Sequence, residues 1–218
     1  MYVKNRMTIG PYTIYSDTPL SEAIIMMHEK KLKRIPVVGP DGKRVVGIVT
    51  DSDIQRVSPS EASALSIFEI NYLLGKTNVS SAMTKDVIKI NPDALLEDAA
   101  LLMRANRIRT LVVVGENDEI EGIITESDIF DAFLDLMGFR DTGTRITLKA
   151  VNAPGVLANI TSSFGAFNYN ISHIAVYNGN AEYCDVVVRF NSFETEEIEK
   201  DLEAKGYKVI HILKSEEL

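Results

Sequence analysis

Apolar residues recur with helical spacing in two separate stretches of the chain. They stand at Leu20, Ala23, Ile24 and Met27 in the first stretch, and at Leu96, Ala99, Ala100 and Met103 in the second. Spacings of three and four residues place such side chains on one face of an α-helix. Each predicted helix is followed by two apolar runs typical of buried strands, which read RIPVVG and VVGIVT first, then TLVVVG and IEGIIT.

The two stretches are copies of one unit. Met7-Thr8 recurs as Met83-Thr84, and these pairs open the leading segments of the copies, residues 7–15 and 83–91. One residue is lost in the turn between the two strands of the second copy, where a deletion is tolerated best. Each copy therefore predicts the element order β-α-β-β-α. We place the first repeat at residues 1–57, an inter-repeat segment at 58–82 and the second repeat at 83–138.

A short motif closes the last strand of each copy and opens the next helix. The first motif is GIVTDSD, residues 47–53, and the second motif is GIITESD, residues 122–128. A helix N-terminus favours anions, a Thr hydroxyl can bond a phosphate, and an Asp carboxylate can accept both hydroxyls of a ribose. Helix capping alone also accounts for these residues, but a cap needs only one of them and both Thr and Asp recur.

The inter-repeat segment contains a predicted helix. Residues 58–66 are polar and turn-rich, and IFEINYLLGK follows with an apolar face formed by Ile67, Ile70, Leu73 and Leu74. We expect this helix to cover the core of the repeat module, and a contact with a second copy of the chain is the alternative.

The pattern changes after a linker at residues 139–144. RITLKAV predicts a strand, NAPGVLANITSSFGAFNYN a turn and a helix, and residues 171–190 a hairpin that turns at 178–180. A second amphipathic helix and a last strand follow. The order βαββαβ over residues 145–218 is ferredoxin-like, so the expected fold class of the whole chain is α/β in the broad sense, that is, α+β.

Charge and composition exclude several classes of partner. The net charge of −8 argues against nucleic acid bound by a large basic surface. No apolar run approaches the length of a membrane span, and the N-terminus lacks the apolar core of a signal peptide. Cys184 is the single cysteine, which excludes a disulfide framework and favours a small apolar core role. We therefore expect a cytoplasmic protein that does not contact a membrane.

The residue pattern does not predict an enzyme. His28, His173 and His211 fall in three different elements without metal-ligand spacing, so no metal site is expected. Nucleophile–base sets and phosphate-binding glycine loops are missing from the sequence. Asp51 and Asp53 could suggest acid–base chemistry, but they stand at a helix start and no nucleophile accompanies them.

Two copies that end in Gly-apolar-apolar-Thr-x-x-Asp resemble a pair of CBS domains, known as a Bateman module. The resemblance implies a regulatory module without an obligatory cofactor that binds an adenine nucleotide or adenosyl compound in two clefts. It assigns the first cleft to Thr8, Tyr12, Lys31, Leu32, Pro36, Thr50, Ser52 and Asp53. It assigns the second cleft to Thr84, Ile88, Arg107, Ile108, Thr125, Ser127 and Asp128. Lys33 and Arg109 also stand beside the strands, where they could attract phosphates, but ordinary surface solvation is the favoured explanation for any single one of these cations.

The third segment resembles an ACT domain, a module that often binds amino acids where domains meet. The resemblance implies a ligand or interface site at Asn152, Pro154, Gly155, Val156, Leu157, Asn170 and Ile171. The family's usual first residue of the turn is Asp, and Asn152 lacks the charge that would pair with an amino group. Pro154 and Gly155 are also explained by the shape of the turn alone.

A CBS pair followed by an ACT domain resembles the acetoin-utilization (AcuB) family over nearly the whole chain. The resemblance implies a regulatory protein of acetoin or related carbon metabolism that forms a homodimer or a higher homo-oligomer. The main alternative is a scaffold whose clefts stay empty and whose ACT domain only associates chains. An enzyme that acts on a nucleotide in the cleft is a weaker alternative.

Overall fold

The chain folds into two compact units, Met1–Ile129 and Phe130–Leu218, and each is described by itself. The computed structural model describes residues 1–58, 66–177, 179–180 and 182–216. The division falls inside a helix that begins at the second motif. The boundaries that the sequence suggests, at residues 58, 83, 139 and 145, therefore stay predictions.

The first unit holds both copies of the repeat. The first copy contains β1 (Thr8–Ile9), β2 (Ile14–Tyr15), α1 (Leu20–Lys30), β3 (Arg34–Val38), β4 (Val45–Thr50) and α2 (Asp51–Val57). Helix α3 (Ile67–Lys76) follows. The second copy contains β5 (Lys89–Ile90), α4 (Leu96–Asn106), β6 (Thr110–Val114), β7 (Ile120–Thr125) and α5 (Glu126–Leu136). The predicted order β-α-β-β-α is confirmed, with the two-residue β1 added in the first leading segment.

Helices α1 and α4 bury the same repeat positions. The buried residues are Leu20, Ala23 and Met27 on α1, and Leu96, Ala99 and Met103 on α4. Both helices end at a left-handed residue, Lys31 or Arg107, with φ 53° in each case. This conformation costs a non-glycine residue about 1–2 kcal/mol. Its presence in both copies shows that the sharp turn into the following strand belongs to the repeated unit.

The two copies exchange their leading segments. Strand β1 of the first copy pairs with β7 of the second copy, with Thr8 opposite Ile123. In return, Thr84 of the second copy pairs with Ile48 on β4 through two backbone hydrogen bonds of 3.0 and 2.9 Å. The sheets consequently have the orders β2-β3-β4 and β1-β7-β6-β5. Each motif is therefore flanked by residues from the other copy.

The second unit has the predicted βαββαβ order. Its elements are β8 (Gly143–Val151), α6 (Val156–Ala166), β9 (Ile171–Tyr177), β10 (Tyr183–Phe190), α7 (Glu196–Ala204) and β11 (Lys208–Ser215). The sheet is antiparallel throughout, with the order β11-β8-β10-β9. Phe164 on α6 packs edge-on against Phe190 on β10, with 5.0 Å between the ring centroids. This arrangement is that of a ferredoxin-like unit.

Two predicted connections lie partly outside the described residues. The turn-rich segment 58–66 is described only at its ends, and Asn178 of the hairpin turn is also outside.

Helix α3 is present and packs against α1. Ile70 and Leu74 are half-buried and Leu73 is exposed, whereas the side chain of Ile67 lies outside the description. Helix α3 thus covers α1 with part of its predicted face.

Candidate ligand-binding site

A cavity of about 530 Å³ lies between the two copies in the first unit, where β4 ends and α2 begins. The first copy supplies Lys33, Arg34, Ile48, Thr50, Asp51, Ser52 and Asp53. The second copy supplies Thr84, Asp86, Val87, Ile88, Arg107, Ile108, Arg109 and Thr110. Apolar, hydroxyl, acidic and cationic side chains converge on one space, which is the composition of a small-molecule site.

The candidate residues meet in a different combination from the one that the sequence resemblance implies. The first motif shares the cavity with Thr84, Ile88, Arg107 and Ile108, all of which the resemblance placed with the second motif. Strand exchange is the physical reason, because Thr84 pairs with Ile48 just before the first motif. The expected grouping is corrected accordingly: the cavity combines the motif of one copy with the leading segment of the other.

The second motif has the mirrored surroundings. The pairing of β1 with β7 places Thr8 opposite Ile123, two residues before Thr125. Thr8 therefore holds beside the second motif the position that Thr84 holds beside the first, and the second cleft expected there stays a prediction. Tyr12 of this leading segment is 54% exposed, and Nζ of Lys30 lies 5.5 Å from the centroid of its ring.

Besides Thr8 and Tyr12, three further candidate residues of the first copy do not line the cavity. Lys31 and Leu32 line a separate groove of about 540 Å³ between α1 and α2. Pro36 is buried in β3, where it stands opposite Ile48. The structure therefore does not bring these three together with Ser52 of the first motif in the cavity.

The recurring Thr and Asp cap their helices in both copies. Oδ2 of Asp53 accepts the amide of Thr50 at 3.0 Å and its hydroxyl at 2.7 Å, and the amide of Asp53 donates back to that hydroxyl at 3.2 Å. Thr125 and Asp128 repeat the arrangement at 2.7, 2.7 and 3.4 Å. The cap fixes the rotamer of each carboxylate and uses one of its two oxygens.

The second oxygen of Asp53 faces a cation. Oδ1 of Asp53 accepts a hydrogen bond of 3.0 Å from Arg56, one helical turn further along α2. Arg56 also donates to the carbonyl of Ala82 at 3.1 Å, close to the leading segment of the second copy. Arg56 thus connects the first motif with the chain that enters the second copy.

Arg34 extends from the first copy to the second. Its guanidinium donates to the carbonyl of Arg109 at 3.0 Å and to the hydroxyl of Thr110. Thr110 is the residue that replaces Arg34 in the second copy, so equivalent positions of the repeat touch here. Burial lowers the pKa of the Arg34 guanidinium, and the positive charge of Arg109 lowers it further. A guanidinium nevertheless stays charged at neutral pH.

Sequence reasoning missed part of the cavity wall. Arg34, Ile48, Asp86, Val87 and Thr110 line the cavity in addition to the candidate residues. Asp86 and Val87 follow Thr84 in the second leading segment, so knowledge of the strand exchange would have indicated them. Thr110 could have been indicated by the repeat instead, because it occupies in the second copy the position that Arg34 occupies in the first.

The candidate residues of the second unit fall into two places. Asn152, Pro154, Gly155, Val156 and Leu157 line a pocket of about 440 Å³, together with Val176 and Cys184. The side-chain amide of Asn152 donates to the carbonyl of Asn180 at 2.7 Å. Asn170 and Ile171 instead lie at the start of β9, where the amide of Asn170 donates to the side chain of Asn191 at 2.8 Å. They do not line this pocket.

The described residues show neither a metal centre nor a membrane span. Within residues 1–58, 66–177, 179–180 and 182–216, no three His, Cys, Asp or Glu side chains are grouped so as to hold a metal ion. In the same part of the chain, no helix is long and apolar enough to cross a membrane. His28 is exposed on α1, and Cys184 is buried in the core of the second unit.

The repeated unit, the exchanged segments and the cavity between the copies define a tandem module of known type. The CBS domain family matches residues 3–60 and 79–135, together more than half of the chain. The chain therefore belongs to the CBS domain family and carries the domain as a pair. The family match ends at residue 135, within α5, and does not include the βαββαβ elements of the second unit.

Solved structures of CBS pairs are similar to the first unit. A proposed acetoin utilization protein (AcuB) from Vibrio cholerae is 28% identical, with a TM-score of 0.53, over 64% of this chain and 94% of that one. The CBS pair of protein MJ0100, in complex with 5-methylthioadenosine and S-adenosyl-L-methionine, is 25% identical over 61% and 95%, with a TM-score of 0.50. CBSX2 in complex with AMP is 25% identical over 62% and 98%, with a TM-score of 0.52.

Proposed function

We propose that the chain is a regulatory ligand-sensing protein that binds an adenine nucleotide or an adenosyl compound between its CBS copies. The observation that carries the proposal is the cavity, in which the Thr and Asp of one copy meet apolar and cationic side chains of the other. Such a site requires both copies, so a bound ligand would couple them. A ligand that prefers one arrangement of the copies would shift the protein toward that arrangement.

The cavity has a partner for each part of an adenine nucleotide. Ile88 and Ile108 offer an apolar surface for the base, and Asp53 offers an acceptor for a ribose hydroxyl. Four cationic side chains also line the cavity, against three acidic ones: Lys33, Arg34, Arg107 and Arg109 against Asp51, Asp53 and Asp86. This local excess of positive charge, in a chain of net charge −8, suits a phosphate group.

Two structural relatives support the choice of ligand class. MJ0100 holds 5-methylthioadenosine and S-adenosyl-L-methionine, and CBSX2 holds AMP. The adenosyl group is common to all three compounds. We therefore propose an adenosine-containing ligand for this chain, as a regulatory ligand rather than a cofactor of catalysis.

We further propose that the second unit is an ACT domain that associates chains into a homodimer or a higher homo-oligomer. Its βαββαβ order and the pocket at the NAPGVL turn support this proposal. Ile174 and Val176 are exposed on β9, an edge strand of the sheet, which suits association with another chain. A second, amino-acid-like ligand at the pocket is less favoured, because Asn152 is neutral and its amide is already bonded to Asn180.

The resemblance to the AcuB protein supports a role in the control of acetoin or related carbon metabolism. The proposed place of action is the cytoplasm, where adenine nucleotides are abundant regulatory signals. The proposal includes no catalytic step.

A scaffold with empty clefts is the second candidate. It is favoured by the capping of Thr50 and Asp53, which gives the motif a structural task without any ligand. Binding distinguishes the two candidates, because only a sensor gains stability from an adenine compound.

A thermal-shift screen of the full chain tests the proposal. The compounds are AMP, ADP, ATP, S-adenosylmethionine, 5-methylthioadenosine and NAD, with inosine and ribose 5-phosphate as controls that lack part of the ligand. At a hundredfold excess over Kd, a ligand adds about 2.7 kcal/mol to the free energy of unfolding, which shifts the melting temperature visibly. We expect a shift with at least one adenosyl compound. The absence of any shift would favour the scaffold.

A further inference from the structure

The two motif aspartates differ at their second carboxylate oxygen. Oδ1 of Asp53 accepts a hydrogen bond from Arg56. Among the residues that the structure describes, none donates to Oδ1 of Asp128. The two hydrogen bonds that this carboxylate accepts both end at Oδ2. Asp131 occupies the repeat position of Arg56 in the second copy, and a carboxylate cannot pair with a carboxylate. The repeat position one helical turn after the motif aspartate therefore holds a cation in the first copy and a carboxylate in the second.

The oxygen that differs is the one that a ribose would use. Oδ2 of each aspartate already accepts two hydrogen bonds within the cap, from the amide and the hydroxyl of the motif threonine. Two accepted bonds fill the lone pairs of that oxygen, so a ligand hydroxyl must reach Oδ1. At Asp53 this oxygen is shared with Arg56, and at Asp128 no residue in the described part of the chain donates to it.

We propose that Arg56 competes with the ribose for Asp53, so that the cleft of the second motif binds an adenosyl ligand more tightly than the cavity at the first motif. The inference rests on the function proposed above and adds the order in which the two clefts fill. Arg56 is the residue that sets this order, and Asp131 occupies its position in the second copy.

The exposure of the two side chains indicates which partner of the ion pair moves when a ribose binds. The side chain of Arg56 is 67% exposed and that of Asp53 is 13% exposed. The carboxylate is fixed by its cap, whereas the guanidinium can turn into solvent with little loss. Ion pairs this exposed are weak, so the competition amounts to about a two- to fivefold difference in Kd.

Displacement of Arg56 also affects a contact between the first copy and the end of the inter-repeat segment. The same guanidinium donates to the carbonyl of Ala82, two residues before Thr84 in the cavity wall. A ribose that takes Oδ1 of Asp53 leaves Arg56 with this second partner only. Filling of the cavity at the first motif thereby changes the link between the first motif and the chain that enters the second copy.

Calorimetric titration of the full chain with adenosine tests the order of filling. Adenosine is uncharged and has no phosphate. Removal of the Arg56 cation therefore cannot weaken its binding through a lost attraction to phosphate. An Asp128→Asn background removes the ribose acceptor of the second motif and leaves the cavity at the first motif as the site that is measured. In this background, Arg56→Ala should tighten adenosine binding about two- to fivefold. In an Asp53→Asn background, Arg56→Ala should leave Kd unchanged. Thermal melts of each variant confirm that it is folded.

The matching change in the second copy supplies an independent test. Asp131→Arg in the Asp53→Asn background places a guanidinium one helical turn after Asp128, but it also removes the ion pair of Asp131 with Arg140. Asp131→Ala in the same background is therefore the control, and Asp131→Arg should bind adenosine about two- to fivefold more weakly than this control. Unchanged or weaker binding by Arg56→Ala in the Asp128→Asn background would overturn the competition while leaving the sensor intact. If no adenosyl compound of the thermal-shift screen binds any form of the chain, the proposed function fails, and the competition fails with it.

Discussion

Gly47 lies directly against Met83, a residue of the other copy. A Cβ placed on Gly47 would come within 2.5 Å of Sδ of Met83 and 3.1 Å of the carbonyl oxygen of Thr84. The second copy repeats the contact, with Gly122 against Met7. The glycine of each motif is therefore the place where the exchanged leading segment crosses, which explains why Gly and Met recur together in the sequence.

We expect Gly122→Ala to destabilise the chain by about 1–3 kcal/mol. A Cβ on Gly122 would lie 2.8 Å from the backbone oxygen of Thr8, which cannot turn aside as a side chain can. Urea unfolding measures the loss. Gly165→Ala on α6 is the matched control, because a Cβ there meets no atom within 4 Å. Equal stability of the two variants would refute the close crossing.

Gly47→Ala should be partly rescued by Met83→Ala. The nearest atoms to a Cβ on Gly47 belong to the Met83 side chain, so its truncation removes the closest contact. In a double-mutant cycle we expect the two changes to couple by about 0.5–3 kcal/mol, with the double variant more stable than the sum of the single changes predicts. Additive effects would show that the copies do not meet at this pair.

Thr125→Ala should cost about 0.5–2 kcal/mol through the loss of the helix cap. The hydroxyl of Thr125 donates to Asp128 at 2.7 Å and accepts its amide at 3.4 Å. Thr125→Ser keeps the hydroxyl and should stay within about 0.5 kcal/mol of the parent chain. Chemical denaturation compares the three forms, and a Thr125→Ser loss as large as that of Thr125→Ala would argue against the cap.

Arg34→Thr should weaken AMP binding about three- to tenfold and leave adenosine binding unchanged. The substitution gives the first copy the residue that the second copy has at Thr110, and it removes a cation from the cavity wall. The effect should shrink in high salt, because added ions screen the phosphate from the remaining cations. Equal losses for AMP and adenosine in calorimetry would indicate a structural effect instead.

Asp201 should contribute to stability at neutral pH and not in strong acid. A hydrogen bond from Lys205 lowers the pKa of this carboxyl below its ordinary value of 3.8, and a hydrogen bond from Ser163 lowers it further. A carboxyl with a lowered folded-state pKa stabilises the fold above the unfolded pKa, and the contribution is lost as the pH falls through the lowered value. We expect the melting temperature of Asp201→Asn to lie below that of the parent chain at pH 7. The two should converge below pH 3.8, and a constant difference across that range would contradict this origin.

Local patterns in the sequence were enough to predict the elements of both units. Helical spacing indicated α1 and α4, and the turn residues separated the strands, because these features depend on neighbours within a few residues. The offset between Met7 and Met83 likewise revealed the repeat. The βαββαβ order of the second unit followed from the same kind of local evidence.

Local patterns could not predict which residues line each cleft. Which strand Thr84 joins depends on the path of the chain between the copies, and no periodic pattern records that path. The first motif therefore received the wrong leading segment. The difference between Arg56 and Asp131 was present in the sequence, but it gains meaning only once Oδ1 of Asp53 is known to face the guanidinium.

The most direct test of the account is a calorimetric titration of AMP into the parent chain, Asp53→Ala and Asp128→Ala. The account predicts binding to the parent chain and a ten- to hundredfold loss of affinity at the cleft whose aspartate is removed, because a charged acceptor contributes about 1.5–3 kcal/mol. Binding with the same affinity and the same number of sites in all three proteins would remove both aspartates from ligand recognition and contradict the proposed site.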